Sequence, residues 1–184
     1  RGGPGFMRMG THVIVELHGA PFDLLNSSTR VRAALWAAAR SGELTVVGEH
    51  FHAFPVQGVS GMLLISESHL SVHTWPEHGY AALDLFTCGP ATPLPCGQLT
   101  EVRYHGNNGS WTCLDGTSAA ADGALWTAVT TLVQVAQAGS ALIQWMDRGI
   151  HERASNAAPR AKLPTPADYG WLGGLEGGAG GPEL

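Results

Sequence analysis

Charge is scarce in this 184-residue chain: Asp, Glu, Lys and Arg together make up 14% of it. The formal net charge is −5, so there is no basic footprint and nucleic acid is not an expected partner. No apolar run approaches the roughly 18 residues that a membrane helix needs. Arg1–Gly10 is Gly-rich and lacks the apolar stretch of a signal peptide. The expected location is the cytoplasm, with no membrane partner. Cys88, Cys96 and Cys113 are odd in number and lack close pairing motifs, which suggests neither a disulfide framework nor a four-cysteine zinc site. There is no His-Glu-x-x-His pattern, and Gly58-Val59-Ser60-Gly61-Met62 fails the Gly-x-Ser-x-Gly elbow at its last position. Internal repeats are absent.

Apolar residues make up 44%, enough for the core of one domain. His12–Leu17 (HVIVEL) reads as a β-branched strand. Ser27 or Ser28 caps a helix through Arg40, ended by Ser41-Gly42, with Val31, Leu35 and Ala38 on its apolar face. Strands are expected at Leu44–Phe51, Gly58–Ile65 and Gly79–Thr87. Between the last two, period-two alternation puts His69, Ser71 and His73 on one face and Leu70 and Val72 on the other. Residues 90–123 read as a long insertion, with a small hairpin at Leu99–Tyr104 and Ser110–Leu114. A second helix begins near Asp122 with Leu125, Val129, Leu132 and Ala136 on one face, and a last strand covers Ala141–Met146. Strand, helix, a run of strands, helix and strand give an α+β, two-layer sandwich: an antiparallel sheet with two helices on one face. The domain spans 11–149, between a flexible N-terminus (1–10) and a disordered, finally Gly-rich tail (150–184).

The densest polar stretch is Ser66-Glu67-Ser68-His69-Leu70-Ser71-Val72-His73-Thr74. By residue type alone it has three readings. One is a metal site, since His50, His52, His69, His73 and His78 cluster in sequence, although His69 and His73 do not share a helix that would make them converge. A second is a serine hydrolase without its elbow. The third is a set of half-exposed strand residues, the ordinary fate of polar side chains in an antiparallel sheet.

A longer string decides among them. Ser66 to Glu77 (SESHLSVHTWPE), then Gly79-Tyr80-Ala81-Ala82 and Asp84 to Gly89 (DLFTCG), resemble the signature of prokaryotic S-adenosylmethionine decarboxylase proenzymes. Phe51-His52-Ala53-Phe54, Gly58-Val59-Ser60-Gly61 and His12–Leu17 resemble the preceding blocks of that family. The likeness runs from about Thr11 to Gly89.

The resemblance implies self-cleavage between Glu67 and Ser68. The Ser68 hydroxyl attacks the Glu67 carbonyl, the resulting ester is eliminated, and Ser68 becomes a pyruvoyl group heading the longer chain. A ketone there can condense with the substrate's amino group and take up the electrons left when carbon dioxide departs. The family's roles fall residue by residue: His73 as processing base, Ser60 as its assistant, Cys88 as the proton donor to the decarboxylated carbon, Glu77 on the ribose hydroxyls, Phe54 on adenine, and Leu70 in the substrate site. His52, His69, His78 and Trp75 stay unassigned. The implied substrate is S-adenosylmethionine and the implied cofactor the self-derived pyruvoyl group, with no metal. The implied partners are the cleaved chains 1–67 and 68–184, assembled as a homodimer. Relatives that decarboxylate ornithine or arginine with the same group, and a non-processing homologue, are the alternatives.

Overall fold

The computed structural model describes residues 6–88, 100–113, 119 and 123–151. Strands β1 (Phe6–His18), β2 (Val46–Ala53), β3 (Val59–Ile65), β4 (Ser68–Trp75), β5 (Tyr80–Thr87), β6 (Thr100–His105), β7 (Ser110–Cys113) and β8 (Ser140–His151) form one sheet. Its order is β2-β3-β4-β5-β1-β8-β6-β7, and every neighbouring pair is antiparallel. A one-turn helix α1 (Phe22–Leu25) and the longer α2 (Ser28–Ser41) and α3 (Ala124–Val135) supply the second layer. The α+β sandwich expected from the sequence is observed.

Strict alternation builds the two layers. Along β5, Ala81, Leu83 and Leu85 are buried while Tyr80, Ala82, Asp84 and Phe86 are half-exposed. The buried set meets Leu35 and Ala38 of α2 and Val129 and Leu132 of α3 in one core with Val13, Val15, Leu63, Leu70 and Ile143. Each such Leu, Val or Ile contributes about 1.5–3 kcal/mol by leaving water. Among the described residues the other face carries no helix, and Met62 (41% exposed), Leu64 (49%) and Trp75 (42%) stand on it. One buried polar group ties the layers together. The buried Thr74 hydroxyl donates to Leu25 O and accepts from Val59 N–H, both at 2.8 Å. Gly61 leaves room for the Phe51 ring across the β2–β3 pair, where a Cβ would come within 2.2 Å of it.

Several boundaries differ from the expectations. β2 begins two residues late because Leu44 is spent on the end of α2. Its N–H bonds Ala39 O at 2.8 Å, Glu43 N–H bonds Arg40 O at 3.2 Å, and Glu43 takes φ 54, the bonds and left-handed residue of a Schellman cap. Residues 6–10, expected to be a flexible N-terminus, lengthen β1 because β8 pairs with them as far as Phe6↔His151. The hairpin in the 90–123 insertion is present as β6 and β7, and β6 adds to the sheet on β8. Cys113 is disulfide-bonded, where the sequence suggested no disulfide framework, while Cys88 is a free thiol. The tail expected to be disordered lies outside the described residues beyond His151.

Candidate active site

β3 and β4 join through the two-residue turn Ser66-Glu67, closed by the pair Ile65↔Ser68. Hairpins this tight favour glycine or asparagine, which accept a positive φ. Neither is present, and Ser68 takes φ 150, a region nearly confined to glycine that costs on the order of 1–3 kcal/mol. The turn is pinned on both sides. Ser66 N–H donates to Thr45 O at 2.8 Å, and Thr45 N–H donates to Glu67 Oε2 at 3.3 Å. The backbone N–H of Cys88 donates to the carbonyl oxygen of Glu67 at 2.9 Å. Ser68 is opposite Thr87 on β5, which sets Cys88 beside the Glu67–Ser68 peptide.

Four more side chains line up behind Ser68 on the helix-free face. Ser68 Oγ lies 3.1 Å from His69 Nδ1, and His69 Nε2 lies 2.9 Å from Asp84 Oδ1. Asp84 Oδ2 lies 2.5 Å from His12 Nε2, and Arg148 Nη2 lies 3.3 Å from His12 Nδ1. Phe86 sits in register between His69 and His12. Its ring stacks on His69 with centroids 6.3 Å apart and meets His12 edge-on at 5.9 Å.

A second group gathers at the far end of β4. His73 and Ser60 are paired across β3 and β4, with Ser60 Oγ 2.8 Å from His73 Nδ1. Trp75 stands 6.5 Å from His73 and 5.5 Å from Tyr80, centroid to centroid. Burial and then the neighbouring Glu16 carboxylate push the Tyr80 phenol above its ordinary pKa. Glu77, in the short 3-10 turn Pro76–His78, is exposed, and that turn ends at Gly79, whose φ of 59 is left-handed. Phe54, just past β2, is 49% exposed and meets His52 edge-on at 4.9 Å.

Thus the structure brings Ser68, Glu67 and Cys88 together, and pairs Ser60 with His73, but holds the two groups apart. β4 is continuous from Ser68 to Trp75, so five residues of strand rise separate Ser68 from His73 by about 17 Å. Within one chain His73 lies out of reach of Ser68, because the extension of β4 removes contact. Leu70 belongs to the core. Its side chain is 0% exposed among the core residues under the helices, opposite Leu63 and Leu85. His69, left unassigned from sequence, together with Asp84 and His12, is what the sequence reading missed. Alternation alone gives each its face, but only strand register brings them together. Among the described residues, no group of three or more His, Cys, Asp or Glu is arranged to hold a metal ion, and no helix is long and apolar enough to cross a membrane.

Residues 11–102 match the family model described as S-adenosylmethionine decarboxylase. The chain is 55% identical over 86 residues to the S-adenosylmethionine decarboxylase proenzyme of Carboxydothermus hydrogenoformans, covering 44% of this chain and 64% of that one. It is 48% identical over 95 residues to that of Moorella thermoacetica, covering 50% and 76%. A solved structure, the adenosylmethionine decarboxylase from Aquifex aeolicus, superposes with a TM-score of 0.58 at 25% identity over 82% of this chain and 98% of that one. The chain spans 61% of the length of the Sulfurihydrogenibium relative and 64% of the Carboxydothermus one. The Glu67–Ser68 turn, the Ser60–His73 pair and Cys88 all fall inside the matched segment, and the chain belongs to the S-adenosylmethionine decarboxylase family.

Proposed function

We propose that the protein cleaves itself between Glu67 and Ser68 and then decarboxylates S-adenosylmethionine, giving the aminopropyl donor for spermidine synthesis. The observation that carries this is the state of the Glu67–Ser68 peptide. Its carbonyl oxygen already accepts an N–H from Cys88 at 2.9 Å, and the serine after it is held at φ 150. A main-chain donor on that oxygen stabilises the negative charge that grows there when a nucleophile adds, the oxyanion-hole effect. Residual strain at Ser68 is relieved when the bond breaks. These residues fit a pyruvoyl group made in place, since Ser68 supplies its atoms.

The pyruvoyl group supplies a ketone that takes up the electron pair left by the departing carboxylate. The chain's own residues do the rest. The exposed thiol of Cys88, one residue past the strand opposite Ser68, is positioned to return a proton to the substrate carbon. Glu77, a carboxylate with two acceptor oxygens, suits a ribose diol, and the exposed Phe54 ring suits an adenine face or a sulfonium cation. His73, hydrogen-bonded to Ser60, serves as base in the elimination. Since His73 is about 17 Å of strand from its own Ser68, that role calls for a second copy. Two helix-free faces packed about a twofold axis can set the Ser60–His73 pair of one copy over Ser68 of the other, each contact occurring twice. The exposed Met62, Leu64 and Trp75 are the apolar surface such a face would cover. A homodimer of processed units, working in the cytoplasm without nucleic acid or membrane, belongs to this proposal.

Intact-mass spectrometry of the purified chain tests it, with carbon dioxide release from S-adenosylmethionine, ornithine and arginine measured in parallel. Two chains split at Glu67–Ser68 and release from S-adenosylmethionine are expected. Release only from ornithine or arginine would overturn the substrate. One uncut chain without release would overturn self-processing.

A further inference from the structure

We propose that His69, held by Asp84 and His12, is the base that takes the proton from Ser68 when the Glu67–Ser68 peptide is attacked. The inference rests on the self-cleavage reading and gives a separate residue to its first step.

The hydrogen-bond chain admits one direction of donation. An arginine guanidinium only donates, so Arg148 gives an N–H to His12 Nδ1, which therefore carries a lone pair. The hydrogen of a neutral His12 is then on Nε2, pointing at Asp84 Oδ2. A carboxylate only accepts, so the other oxygen of Asp84 takes an N–H from His69 Nε2. In a neutral His69 that leaves Nδ1 without a proton and facing the Ser68 hydroxyl at 3.1 Å. Starting from either fixed end, a cation or an anion, the tautomers agree. The ring that touches the nucleophile presents its basic nitrogen, and the carboxylate behind it stabilises the imidazolium that forms, the general logic of a base oriented by a third group. Phe86, between the two imidazoles, holds both ring planes. His73 has no such geometry to its own Ser68.

The Ser68 O–H proton passes to His69 Nδ1 as Oγ bonds to the Glu67 carbonyl carbon, whose oxygen becomes negative against the Cys88 N–H. As the C–N bond of the peptide breaks, the same proton returns from His69 to the leaving nitrogen. The product is an ester between Glu67 and the Ser68 side chain with a free amine on Ser68. Abstraction of the Ser68 α-hydrogen, the elimination assigned above to His73, follows as a distinct reaction. His69 therefore acts before the ester exists, and His73 after it.

The experiment follows cleavage of full-length precursor by intact mass, with and without hydroxylamine at neutral pH, which cuts esters and spares peptide bonds, any cut at Asn108-Gly109 being told apart by its mass. Wild type, His69→Ala, His69→Gln, Asp84→Asn, Asp84→Glu and His73→Ala are compared, each checked for a cooperative melt. His69→Ala and His69→Gln should cleave at least about 100-fold more slowly than wild type and yield no hydroxylamine-sensitive ester, the loss typical of a missing general base. His69→Gln keeps a hydrogen-bonding side chain, so a folded but uncut His69→Gln separates proton transfer from folding. Asp84→Asn should slow cleavage about 10-fold or more, because its amide can donate to Nε2 and leave the hydrogen on Nδ1. Asp84→Glu should restore part of the rate. His73→Ala should accumulate the ester. Cleavage of His69→Gln at the wild-type rate, or ester in that variant, would overturn the role of His69 while leaving self-processing intact. A wild-type chain that never splits would instead overturn the function on which this role depends.

Discussion

The backbone N–H of Cys88 donates to the carbonyl oxygen of Glu67 at 2.9 Å, so one residue meets the scissile peptide twice over, through its main chain before cleavage and its thiol afterwards. The two contributions can be separated, because a side-chain substitution leaves the N–H in place. Cys88→Ala should process at close to the wild-type rate, yet its turnover of S-adenosylmethionine should fall by on the order of 10²–10⁴, the range for a lost general acid. Single-turnover cleavage and steady-state carbon dioxide release check the two halves. Unchanged turnover would remove the thiol from proton donation.

Ser68 carries the strain of a hairpin turn without glycine. Ser68→Ala and Ser68→Gly should both remain single full-length chains, since neither has a hydroxyl to attack Glu67. Glycine accepts φ 150 freely while alanine does not. Relief of about 1–3 kcal/mol, less the greater unfolded entropy of glycine, should leave Ser68→Gly roughly 1 kcal/mol more stable than Ser68→Ala. Urea unfolding of the two uncut precursors measures the difference. Equal midpoints would show no strain at this position.

Complementation tests whether the Ser60–His73 pair serves a second copy. Ser68→Ala has a nucleophile defect, and His73→Ala a base defect in the proposed partner role. Co-expressed and tagged with different masses, they should form mixed dimers in which the His73→Ala chain is cut by the His73 of its neighbour. The expected result is up to about half of the His73→Ala chains processed, from one productive site per mixed dimer under isologous pairing. No cutting in isolated mixed dimers would confine His73 to its own chain or remove it from processing.

Tyr80 ties pH to the open face. Its phenol is raised first by burial and then by Glu16. A raised folded value means that the folded chain holds the proton more tightly. The associated stability is fully present below the ordinary value of about 10 and is lost as pH rises through the higher folded value. Phenolate absorbance compared between wild type and Tyr80→Phe should show this tyrosine titrating late. Glu16→Gln should bring it part of the way back and no further, because burial, the larger cause, remains. A Glu16→Gln titration identical to that of wild type would exclude the carboxylate as a cause.

Side-chain periodicity set the elements and their faces. Alternation in β4 and β5 states which side chains point to the helices, and it placed His69, Ser71 and His73 on the open face with Leu70 and Val72 beneath. The Val31, Leu35 and Ala38 stripe fixed the inward side of α2, capped by Ser27 as its chemistry demands. The turn and its Glu67–Ser68 peptide were legible as a motif. Tertiary structure decided what no single segment carries, which is register between strands distant in sequence. The β4–β5 and β5–β1 pairings bring Asp84 between His69 and His12, 15 and 72 residues away along the chain. The same pairings put Cys88 N–H on Glu67, while the extension of β4 carries His73 out of reach of the serine it follows by five positions. Local pattern is set by side-chain period, which the sequence displays. Contact across a sheet is set by which hydrogen-bond ladder wins, and that is decided only when all eight strands have paired.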